Sequence, residues 1–106
     1  MIIKNLTPHA INVCDDNGKV YLTIEAEAVP ARLKVRTELV QLFDTIRITK
    51  SVFGEPEGLP DYQEDVYYVV SQLIKSAFPE RMDLLVPAEV VRDTNGNIVG
   101  CKSLGI

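Results

Sequence analysis

The stretch Asp65–Pro87, DVYYVVSQLIKSAFPERMDLLVP, decides the fold. Val66–Val70 is an unbroken apolar run of β-branched and aromatic residues, the pattern of a strand buried on both faces. Tyr67 and Tyr68, being neighbours on that strand, point to opposite faces. Ser71 follows as an N-cap whose hydroxyl accepts an amide hydrogen left free at a helix start. Leu73, Ile74, Ala77 and Phe78 then share one helical face, with Gln72, Lys75 and Ser76 opposite. Pro79 stops the helix, and Leu84–Val86 forms a second apolar run ended by Pro87. A connection of about 13 residues just exceeds the dozen that a parallel crossover requires. The stretch therefore predicts a strand–helix–strand unit.

Working towards the amino terminus, strand patterns predominate. Thr45–Val52 alternates Ile46 and Ile48 with Arg47 and Thr49, and Arg32–Val40 carries apolar mass at Leu33 and Val35. Within the latter, Thr37–Phe43 also fits a helical turn. Val20–Ala26 alternates strictly and predicts a strand that buries one face. Met1–Leu6 and Ala10–Cys14 read as strands interrupted at Thr7-Pro8-His9, where Pro8 removes a ladder donor. Phe53–Glu64, with two prolines, two glycines and four acids, reads as a surface loop. Its exposed Phe53, Leu59 and Tyr62 in acidic surroundings have the anchor-and-rim pattern of a protein-binding segment.

Towards the carboxyl terminus, Glu89–Asp93 and Asn97–Cys101 predict a hairpin around Asp93-Thr94-Asn95-Gly96. Asp15-Asp16-Asn17-Gly18 has the same form, with Asp initiating the turn and Gly free to take positive φ. The fold class expected is α+β, mostly β, with one main helix packed on a mixed or antiparallel sheet. Residues 1–106 form a single globular domain. Open sheet edges and the long acidic loop favour a homo-oligomer.

Composition narrows the function. The chain has 46% hydrophobic and 25% charged residues, ordinary for a soluble globular protein. It lacks an apolar run of about 20 residues or a basic leader, so a cytoplasmic, membrane-free location is expected. A net charge of −4 disfavours non-specific nucleic-acid binding but permits a small phosphorylated ligand held by a few donors. Cys14 and Cys101 are too few for a disulfide framework and read as buried free thiols.

Catalytic and metal chemistry find little support. His9 is the sole histidine, no nucleophile elbow accompanies it, and its place after Thr-Pro favours packing or hydrogen bonding. His9, Cys14 and Cys101 lack metal-ligand spacing, and the Asp-x-Asn turns lack the later acids of a calcium loop. No cofactor or metal is expected. Ser71, between a strand's carboxyl end and a helix start, suits an anion as well as a plain cap. Arg32, Arg36, Arg81 and Arg92 are candidate phosphate forks, and Asp93 reads first as the turn initiator.

N-L-T-P-H at Asn5–His9, G-L-P at Gly58–Pro60, Y-V-V-S at Tyr68–Ser71, D-L-L-V-P at Asp83–Pro87 and V-R-D-x-x-G-x-I-x-G-C at Val91–Cys101 occur in that order. Together they resemble a family of small bacteriophage and prophage proteins along nearly the whole chain. The resemblance transfers no catalytic residues. It implies a viral setting in a host cytoplasm, where small non-enzymatic proteins bind host defence proteins or sequester their nucleotide signals. The ligand-binding set expected from these motifs is Asn5, Thr7, His9, Ser71, Arg92 and Asp93. The partner is a phosphorylated small molecule or, in the alternative, a host or phage protein.

Overall fold

The computed structural model describes residues 1–106. Eight strands are formed: β1 (Ile2–Asn5), β2 (Ile11–Cys14), β3 (Val20–Ile24), β4 (Arg32–Phe43), β5 (Ile46–Glu57), β6 (Val66–Val69), β7 (Leu84–Arg92) and β8 (Ile98–Gly105). The one helix, α1, spans Gln72–Ala77. The fold is α+β and mostly β, with the short helix on a mixed sheet. Six strands pair in the order β1-β6-β7-β8-β2-β3, while β4 and β5 form a separate two-stranded ribbon.

The strand–helix–strand unit is the centre of the body. β6 runs parallel to β1 on one side and to β7 on the other, with Tyr68 opposite Leu84. Its alternate residues feed two apolar clusters, as a strand covered on both faces requires. Val66, Tyr68 and Val70 join Leu6, Ala31, Ile74 and Leu84 on one side. Val69 joins Ile11, Leu85 and Cys101 on the other, with Tyr67 packed against them. Ser71 caps α1 by accepting from the Ile74 amide at 3.3 Å. The helix runs from the Ser71 cap to the residue before Phe78, and Ile74 alone within it is deeply buried while Leu73 is 43% exposed. Pro79 ends it after about a turn and a half, and the capping Phe78 packs partly buried against the same cluster as Ile74.

The sheet nearly closes on itself. Beyond β3, Ala26 makes a parallel bridge to Asn5, and the Glu27 amide donates to the Asn5 carbonyl at 2.9 Å. The chain beyond β3 thereby touches β1 at Asn5, while the outer sides of Ile2–Lys4 and of β3 itself have no strand partner.

The two Asp-x-Asn-Gly turns are built alike. Asp15 Oδ1 accepts from the amides of Asn17 and Lys19, both at 2.9 Å. Asp93 Oδ1 accepts from Asn95 and Asn97 at 2.9 and 3.0 Å. Gly18 and Gly96 take φ of +82° and +84°, where a side chain would be strained.

The ribbon departs from expectation. β5 continues through Phe53 to Glu57, so the first part of the expected surface loop is strand. Thr37–Phe43 is likewise strand throughout, which removes the helical alternative. Gly54 and Pro56 are tolerated because this strand has solvent beside it and no second sheet neighbour. Asp44, at φ +54°, opens a tight turn that pairs Phe43 with Ile46. The result is an arm projecting from the body, which stretches the chain to 52 × 39 × 23 Å.

Candidate functional site

The expected ligand-binding residues divide into groups that the fold keeps apart. Asn5, 1% exposed, is the buried clasp of the sheet closure. Its Nδ2 donates to the carbonyls of His9 at 2.8 Å and Ile24 at 3.0 Å. Its Oδ1 accepts from the Thr7 amide at 3.0 Å and the Thr7 hydroxyl at 2.6 Å. Thr7 Oγ1 also lies 2.9 Å from the His9 carbonyl. The N-L-T-P-H motif is thus a satisfied polar turn that ties β1 to the chain beyond β3. The His9 ring stands at an exposed position outside this network.

Ser71 leaves the sheet at the same end, since Asn5 pairs with Val69 on adjacent parallel strands. Arg92 and Asp93 lie farther out. Extending the β6–β7 register sets Ser71 level with Pro87, and Arg92 is five residues beyond, roughly 16 Å at the rise of a strand. Both belong to the β7–β8 turn: Arg92 Nη1 donates to the Gly96 carbonyl at 2.8 Å, and Asp93 holds two turn amides. Within one chain, Ser71 and the Arg92–Asp93 pair do not line one compact pocket.

Arg81 is not a free phosphate fork. Its Nε and Nη2 grip Asp83 at 3.0 and 2.5 Å, and Asp83 is 1% exposed. The bidentate hydrogen bond raises the Arg81 pKa further, against the opposing effect of partial burial. This pair neutralises a buried carboxylate at the entry to β7. Cys14 and Cys101 are buried free thiols, and burial, assisted by Cys14, pushes the Cys101 thiol up.

Cationic and aromatic groups converge instead at the base of the arm. A concavity of about 620 Å³ is bordered by Lys34, Val35, Arg36, Val52, Phe53 and Gly54. The pairing slips between Leu33 and Val35, placing a bulge here. Val35 pairs with Phe53 and Arg36 with Val52, so the Phe53 and Arg36 side chains leave opposite faces of the ribbon and the hollow is bordered from both. Lys34 is paired with Glu57 at 3.5 Å and Arg36 with Glu38 at 2.8 Å. Both pairs are largely exposed, a class worth only about 0–1 kcal/mol, so a phosphate can displace them. Of the residues named here, only Arg36 stands out in the sequence as a phosphate fork. The alternation Arg32-Leu33-Lys34-Val35-Arg36 is the signal for Lys34, but the pairing that sets Phe53 opposite Val35 leaves no composition mark.

Two further hollows differ in chemistry. One of about 400 Å³ lies between β2 and β8, bordered mainly by apolar groups including Ile11, Ile98 and Val99. A small one of about 90 Å³ sits beside Tyr62, Tyr67 and Met82. No helix is long and apolar enough to cross a membrane. Compared with protein-family models, curated proteins and solved structures, the chain matches none.

Proposed function

We propose that this is a non-enzymatic binding protein that sequesters a phosphorylated, nucleotide-derived signalling molecule of a host defence response. The observation that carries the reading is the arm-base hollow, whose border includes Lys34, Arg36 and Phe53. Phe53, 44% exposed, offers a face on which a base stacks, a contact worth about 1–3 kcal/mol. Lys34 supplies a point charge and Arg36 a planar fork for phosphate oxygens. The motif resemblance to phage proteins supports the setting, a host cytoplasm. The arm-base hollow takes the place of the Asn5, Thr7, His9, Ser71, Arg92 and Asp93 set, most of whose polar groups are engaged in turns and caps.

The test is thermal denaturation with cyclic dinucleotides, cyclic trinucleotides and cyclic ADP-ribose isomers. A binder raises the melting temperature, and the ligand returns chemically intact after the protein is denatured. No shift with any member of the panel refutes the reading.

A second reading, a module that binds a host or phage protein, is favoured by exposed Tyr62 (66%) and Met82 (62%) around the small hollow beside Asp65. Phe53 belongs to the arm, so the loop available for such contacts is Gly58–Asp65. Pull-down with wild type and Tyr62→Ala separates the readings. A stoichiometric partner lost with Tyr62 supports the second, and a small ligand bound without any partner counts against it.

A further inference from the structure

We infer that the arm is an intermolecular element: in solution each chain lays its β4–β5 ribbon on the body of a second copy. This goes beyond the ligand reading and stands without it. An isolated two-stranded ribbon is at best marginally stable in water, yet this one is 12 residues long on each strand. Towards its tip the strand period puts Leu39 and Leu42 on one face; Ile48, Ile46 and its partner Phe43 lie on the other. All five are 40–63% exposed, so both faces carry uncovered apolar groups. Scattered apolar residues are normal on a surface, but a row of them along both faces of a projecting ribbon marks an interface.

The areas match a second copy. A folded monomer of this mass exposes about 5,900 Å², and this chain exposes 7500 Å², an excess of about 1,600 Å². A standard interface hides about 800 Å² on each partner, and permanent ones hide more. The radius of gyration tells the same story, 16.6 Å against about 13 Å for a compact chain of this length.

Charge selects the body, not the other arm, as the surface that receives it. From Arg32 to Glu57 the ribbon carries five basic and four acidic residues, whereas the remaining chain carries six basic and eleven acidic. Arm against arm sets like charge against like; arm against body sets positive against negative. A two-fold exchange satisfies both arms at once and closes without leaving a free end.

The test begins with the mass of the full chain in solution by light scattering. Twice 11.8 kDa, or a higher even multiple, is expected. A single-chain mass up to about 100 µM overturns the inference, including when a different purified protein then covers the arm. Leu39→Lys with Phe43→Lys alters side chains that are 50% and 63% exposed in their own chain. It should raise the dissociation constant at least about 100-fold, and an unchanged double mass overturns the inference. Because the variant could fail to fold, wild type is also examined directly. Isotopically light and heavy chains are mixed, re-equilibrated and joined by a zero-length carbodiimide. Mixed-isotope links from Lys34 or Lys50 to acids outside Arg32–Glu57 support the exchange, and links confined to arm against arm overturn it.

Discussion

Asn5→Ala is the substitution that most sharply separates a structural clasp from a ligand contact. The side chain makes four hydrogen bonds, two as donor and two as acceptor, from a position only 1% exposed. Each is worth about 0.5–1.5 kcal/mol net, and a partner left unsatisfied away from water costs about 1–3 kcal/mol. His9 is exposed, so water can replace that bond, and its carbonyl keeps the Thr7 hydroxyl. The Thr7 amide and the Ile24 carbonyl, both half-buried, fare worse. A loss of about 3 kcal/mol follows, which lowers the melting temperature by roughly 12–24 °C in a domain of this size. Asn5→Asp should be nearly as damaging at neutral pH, because it turns two donors into acceptors facing carbonyl oxygens. Urea denaturation followed by circular dichroism measures both variants. A loss below about 1 kcal/mol for Asn5→Ala, within the range of an ordinary surface change, would refute the clasp.

Gly100→Ala should destabilise by about 1–3 kcal/mol in the same assay, since the new Cβ would stand 2.7 Å from Cys14 Sγ and 2.9 Å from the rigid Asn12 carbonyl oxygen. Arg81→Ala leaves Asp83 buried without its counter-charge and should cost about 3–5 kcal/mol, with Arg81→Lys recovering part of it because a point charge replaces the two-pronged grip. Stability should also decline in alkali. The Cys101 pKa is raised on folding, so its contribution is fully present below the unfolded value near 9.0 and is lost as pH rises through the folded value. Denaturation curves across that window, repeated with Cys101→Ser, isolate the effect; a wild-type stability that climbs there would contradict the sign.

How much of this was legible in the sequence depends on where burial shaped it. The unit around Val66–Val70 was readable because a strand covered on both faces leaves a continuous apolar run, and its alternate residues indeed enter two clusters. Both Asp-x-Asn-Gly turns were readable because their geometry is local: one carboxylate and two amides within five residues. The arm was not. Gly-Glu-Pro-Glu at Gly54–Glu57 looks like loop, and in a solvated ribbon nothing selects against such residues. Asn5 gave no sign of its burial either: its bonds to Thr7 are local, but the Ile24 carbonyl is brought to it only by the meeting of β1 with the chain beyond β3. The Ser71 cap and the Pro79 stop placed α1 to within a residue, but the shared face of Leu73, Ile74, Ala77 and Phe78 overstated its burial, since Leu73 stays 43% exposed. The candidate site suffered most. Lys34 and Phe53 lie nineteen positions apart, and only the β4–β5 pairing brings them to one hollow.

Calorimetric titration of wild type and the Lys34→Glu, Arg36→Glu double variant with the cyclic nucleotide panel bears most directly on the arm-base hollow. Both side chains are exposed, so the variant keeps the fold of the body, which circular dichroism verifies. At least one cyclic nucleotide should bind wild type, weaken as salt rises through loss of phosphate contacts, and lose all measurable binding to the double variant. A cyclic nucleotide that binds both proteins equally, or a panel in which none binds wild type, would contradict the hollow as the ligand site.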